Sequence, residues 1–103
     1  MNSSEKRRND PQIRAAVTEV LDARAEAILK AEKLVQEALS ILVSVPHYNV
    51  DDPLYTRSTD AVSRAVSQLS GDKHYILGRT DTYVGNIAAN ELGRILQEEL
   101  DSK

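Results

Sequence analysis

Thirty-four residues separate Pro11 from Pro46 without a single glycine or proline. Those two residue types are what most often ends a helix, and the stretch is rich in Ala, Leu, Glu and Lys, which are good helix formers. Asp10-Pro11 supplies the start: the carboxylate can cap free amides, and Pro fits the first turn, where its missing N–H costs nothing. The pattern predicts one helix over 11–44, about 50 Å long at 1.5 Å per residue. Its apolar residues recur in rows seven apart. Ile13, Val20, Ala27, Leu34 and Ile41 form one row, and Leu21, Ile28, Val35 and Leu42 a second. Val17, Ala31, Ala38 and Val45 form a third, interrupted by Arg24. Three adjacent rows are wider than a two-stranded coiled-coil seam, so at least two neighbours are expected to cover this helix.

Asp52-Pro53 repeats the starting device, and Leu54, Ala61, Val62, Ala65, Val66 and Leu69 follow at helical spacing. The second helix is expected over 53–70, with Gly71 as its stop, or from a later cap at Thr59-Asp60. A connector, 45–51, joins it to the first. A third helix is expected over 80–100, capped by Thr80, with Val84, Ala88, Leu92, Leu96 and Leu100 in an i, i+4 row. No segment alternates as a strand would. The expectation is an all-α three-helix bundle, with one long and two shorter helices. A single short partner cannot cover 50 Å, so the bundle is expected to be completed by self-association, as a homodimer or larger. The alternative is an elongated monomer.

The remaining composition mostly excludes. Without Cys there are no disulfides, thiolate metal sites or thiol nucleophiles. His47 and His74 lie 27 residues apart with no Glu-x-x-His pattern, so no metal and no cofactor is expected. No G-x-S-x-G occurs, and no two glycines are close enough for a phosphate loop. Net charge is −3, and the basic cluster Lys6-Arg7-Arg8 sits in a polar segment, so no nucleic-acid polymer is expected as partner. Residues 1–9 are expected to be a disordered polar tail, and 10–103 a single helical domain. The N-terminal stretch has no apolar run of a secretory signal, and no run of 18 apolar residues could cross a membrane. The expected location is cytoplasmic.

Several residues invite a functional reading. Gly85, Ala89 and Gly93 stand four apart, and glycine inside a helix suggests close approach by another backbone or a ligand. Asn86 and Asn90 flank that face and could hydrogen-bond across a tight helix crossing. Arg24 breaks an apolar row; it either snorkels to the surface or is an inward cation for an anionic ligand. All four tyrosines lie outside the long helix, where they either close the ends of an aliphatic bundle or stack on bases. Tyr75 and Arg79 precede a helix N-terminus, led by Thr80, that is able to hold phosphate.

Two resemblances bear on these residues. One long helix followed by two shorter ones resembles the outline of the short helical chorismate mutases, intertwined dimers whose site uses inward basic residues. Only Arg24 and Arg14 stand on the corresponding stretch here, and the family's ordered basic pattern is missing. The nine residues Leu77-Gly78-Arg79-Thr80-Asp81-Thr82-Tyr83-Val84-Gly85 resemble a Gly-basic-Thr-Asp-x-x-x-Gly segment of small helical phage proteins that sequester cyclic-nucleotide signals of bacterial defence. That resemblance implies a small anionic ligand; Tyr75, Arg79 and Thr80 are the candidate residues to hold it, with Arg24 as a further candidate cation. The leading expectation is a non-enzymatic helical interaction protein that binds itself and another protein, in an adaptor, chaperone, antitoxin or regulatory-subunit role. Leu34, Ile41, Gly85, Ala89 and Gly93 are its candidate interface residues. A nucleotide binder and a mutase-like enzyme are the alternatives.

Overall fold

The computed structural model of the protein describes residues 2–45 and 53–103, and of Leu54 and Tyr55 the backbone alone. Every described element is helical: α1 (Ser3–Asn9), α2 (Pro11–Ser44), α3 (Pro53–Leu77), α4 (Asp81–Ala89) and α5 (Glu91–Asp101). The all-α class holds, but with five helices rather than three. The chain divides into two compact units, Met1–Arg24 with Ile76–Lys103, and Ala25–Tyr75.

The first unit begins where a disordered tail was expected. Ser3–Asn9 instead form α1, capped by Asn2, whose Oδ1 accepts from the Glu5 amide at 2.9 Å. Glu5 lies in the first turn and Lys6, Arg7 and Arg8 in the last, as the helix dipole favours. The helix ends because Asp10 precedes Pro11 and is extended (φ −76°, ψ 114°). Asp10 then caps α2 by accepting from the Gln12 amide. One dipeptide therefore closes one helix and opens the next. α1 packs against α4 and α5 although it buries none of its residues.

The core of this unit is aliphatic. Ile13, Val17 and Leu21 of α2 are fully buried, with Ile76 from the end of α3 and Val84, Ala88 and Ala89 from α4. Each such larger side chain contributes about 1.5–3 kcal/mol on burial. The expected single helix over 80–100 is broken at Asn90 (φ −98°, ψ −157°), whose carbonyl caps α5 by accepting from the Arg94 amide. Behind the break, Gly93 meets the end of α4. A Cβ on Gly93 would stand 1.7 Å from the Ala88 carbonyl oxygen, so only glycine fits.

The second unit pairs the distal part of α2 with α3. Ala25, Ile28, Glu32, Val35, Leu39 and Leu42 of α2 are buried or half-buried. So are Val62, Ala65, Val66, Leu69 and Lys73 of α3, at the same 3–4 spacing. Lys73 Nζ lies 2.8 Å from Glu32 Oε1, joining the two stripes across a mostly apolar seam. The nine peptide bonds from Ser44 to Pro53 reach at most about 32 Å, which with this pair requires the helices to run antiparallel. Helix α3 does begin at Pro53, but Gly71 does not stop it. No glycine has positive φ, and a mid-helix glycine costs only about 1 kcal/mol. Residues 72–77 outweigh that through the Lys73 ion pair and the burial of Ile76. The cap at Asp52, the connector with His47 and Tyr48, and the side chain of Tyr55 lie outside the described residues.

Candidate interaction surface

Two of the residues expected to hold an anion, Arg79 and Thr80, are engaged by the fold itself. Arg79 donates Nη1 to the Ile76 carbonyl at 3.1 Å and Nη2 to Asp22 Oδ1, and its side chain is only 18% exposed. It seals the carbonyl end of α3 and ties it to α2 within the first unit. Thr80 caps α4, its Oγ1 accepting from the Tyr83 amide at 3.1 Å. Tyr75 lies exposed on α3, and Arg24 is exposed on α2, not turned inward. Within the first unit, Arg79 and Thr80 thus serve the fold, and Arg24 is exposed on α2.

Arginines do build a junction that sequence reasoning missed. Arg7 Nε and Nη2 donate to the carbonyl oxygens of Ala88 (3.2 Å) and Ala89 (2.7 Å), which a helix end leaves without partners. Arg14 Nη1 donates to the Arg8 carbonyl at 2.8 Å and Nη2 to the Asp81 carbonyl at 2.9 Å, and Arg8 donates to Asn86 Oδ1. Asn86 thus serves α1 and not a second asparagine, while Asn90 is the helix break. A basin of about 380 Å³ opens here, lined by Arg8, Asn9, Arg14, Asp81, Thr82 and Gly85. Its guanidinium groups already carry partners, and Asp81 places a carboxylate in the wall.

Gly85, Ala89 and Gly93 are likewise used from within. All three are buried in the first unit. A Cβ on Gly85 would meet Arg14 Nη1 at 2.8 Å and Arg8 Cγ at 3.2 Å. The close approach inferred for this face is real, but the approaching groups belong to α1, α2 and α4 of the same chain. A second cleft of about 300 Å³ lies between Ala16, Val20 and Ala23 of α2 and Leu96 and Leu100 of α5, with Glu19, Glu99 and Lys103 also in its lining. On the outer side of α5, Arg94 sits between Glu91 and Glu98. Its hydrogen bond and positive charge hold the Glu91 carboxyl below the ordinary carboxylate range. Among the described residues no group of three or more His, Asp or Glu could hold a metal ion.

Leu34 and Ile41 stand apart from all this. Both are 66% exposed, seven residues apart on one line of α2, with Ala27 exposed on the same line. At 100° per residue, Lys30 and Glu37 flank that line on one side and half-buried Ala31, Ala38 and Leu42 on the other. Among the described residues of the second unit, α3 takes one face of α2 and leaves this one to solvent. In this unit, among the described residues, the stripe thus meets one helix where at least two neighbours were expected.

Comparison with protein-family models, with curated proteins and with solved structures gave no match. None of the described helices is long and apolar enough to cross a membrane.

Proposed function

We propose that this chain is a non-enzymatic interaction protein that associates with a second copy of itself through α2 and presents the assembled helices to a protein partner. The observation that supports this reading is the exposure of Leu34 and Ile41, two large aliphatic side chains on one line of a helix whose other apolar face is already covered. Four such side chains across a pair contribute about 6–12 kcal/mol if fully buried. Association itself costs about 4–15 kcal/mol. Only the largest gain set against the smallest cost leaves about 8 kcal/mol, a micromolar Kd, so the expected self-affinity is weak and micromolar at its tightest. A nucleotide-binding reading has less support, because the Arg79 guanidinium and the Thr80 hydroxyl already serve the fold.

Light scattering on chromatographed protein, up to high micromolar concentration, tests the proposal. Wild type is expected above monomer mass. Leu34→Glu and Ile41→Glu are each expected at monomer mass with helicity retained, since both positions are exposed in the single chain. A strictly monomeric wild type, or an oligomer indifferent to both substitutions, would remove the reading.

A further inference from the structure

Resting on that self-association, we infer that two copies pair their α2 helices antiparallel, about a two-fold axis at Leu34. The exposed line itself carries this. Leu34 sits midway between Ala27 and Ile41, seven residues to each side. Reversing a second copy about Leu34 therefore sets each large Ile41 against the small Ala27 of the other copy, and Leu34 against Leu34. A knob then meets a hole twice, and the two chains stay equivalent, as a two-fold interface requires.

The charges select the same arrangement. Lys30 lies four residues before the axis and Glu37 three after it, both on the same flank of the line. In an antiparallel pair like flanks face each other, so Glu37 of one copy falls within one residue of the level of Lys30 of the other. This happens at both ends. Among the described residues of the single chain Lys30 pairs only with the exposed Glu26, at 3.6 Å, and Glu37 has no ion pair. Lys33 lies a further 40° or so round the helix, turned more to the side than Lys30 or Glu37. A parallel pair would instead bring each charged flank against the opposite flank, which is Ala31, Ala38 and Leu42, and would leave the charges without partners.

The chain has no cysteine, so single introduced thiols report the arrangement directly. Leu34→Cys is expected to cross-link to itself with a short bismaleimide. Ala27→Cys and Ile41→Cys are each expected not to, because their like positions stand about 21 Å apart along the pair. A mixture of those two variants is expected to cross-link into a mixed dimer. Charge reversal supplies an independent readout. Glu37→Lys alone and Lys30→Glu alone each set like charges together and are expected to weaken dimerisation several-fold. An equimolar mixture of the two restores both opposite-charge contacts and is expected to dimerise like wild type. A dimer in which Ala27→Cys and Ile41→Cys each cross-link to themselves would overturn the antiparallel arrangement while leaving self-association standing. A wild-type monomer would overturn both.

Discussion

Replacing Gly93 by alanine is the most exacting test of the α4–α5 corner. The added Cβ would stand 1.7 Å from the Ala88 carbonyl oxygen, 2.4 Å from its carbon and 2.7 Å from its Cα, against 3.4–4 Å for ordinary contact. All three atoms are backbone, so no side-chain rotation relieves the overlap, and the corner must open. Overpacking of a buried site costs about 1–3 kcal/mol, and a rigid backbone neighbour puts this one at the upper end. Against it stands the better helix propensity of alanine, about 1 kcal/mol. The net expectation is a loss of about 2 kcal/mol. Gly71→Ala is the paired control, because a Cβ there meets nothing within 4 Å and the residue is exposed in α3. That variant should gain about 1 kcal/mol, or roughly 4–8 °C in a domain of this size. Urea unfolding followed by far-UV circular dichroism, at one fixed protein concentration, reads both. A Gly93→Ala protein as stable as Gly71→Ala would show that α5 does not approach Ala88 as described.

Arg79→Ala should cost about 1–2 kcal/mol in the same assay, from two lost hydrogen bonds, one of them the partly exposed ion pair with Asp22; an unchanged midpoint would contradict its bridging role. Lys73→Ala leaves Glu32, which is only 8% exposed, without its cation and should cost about 2 kcal/mol, whereas the double change with Glu32→Gln should recover part of that loss. The Glu91 carboxyl is held below its usual value of 4.5 by Arg94, so its contribution to α5 is complete above pH 4.5 and disappears as the pH falls through the lowered value. Helicity followed from pH 6 to 3 should therefore fall more in wild type than in Glu91→Gln over that acid range, and parallel curves would refute the linkage.

How far the sequence discloses this fold differs from helix to helix. α2 is legible at both ends, because nothing between Pro11 and Ser44 competes with a helix and Asp10-Pro11 fixes the start. The end of α3 is misread because glycine is a stop only where the chain adopts positive φ, and Gly71 does not. The break at Asn90 is hidden by the row from Val84 to Leu100, which continues at helical spacing across it. Gly93, three residues beyond an asparagine, is the signal that could have revealed it. α1 carries no apolar period to read. Its stability comes from Arg7 and Arg8 reaching Ala88, Ala89 and Asn86, about 80 residues away, which local patterning cannot disclose. Spacing puts Leu34 and Ile41 in one row with Ile13 but does not say which part of the row faces solvent: Ile13 is fully buried and the other two are 66% exposed. The role of Arg79 is not legible either, because its partner Asp22 is 57 residues distant.

The contacts of Arg7 also set a timetable for the chain. The first unit is assembled from both ends of the sequence, whereas the second is one continuous segment, Ala25–Tyr75. During synthesis the second unit has all its partners once Tyr75 has emerged, and pairing Glu32 with Lys73 closes a loop of 41 residues. α1 must wait until Ala88 and Ala89 have emerged, and its docking closes loops of 81 and 82 residues, about twice as long. Contacts so distant in sequence form late in refolding as well. Residues 3–9 should therefore be protected later than the α2–α3 pair in pulse-labelled hydrogen exchange during refolding, and their earlier protection would contradict this order.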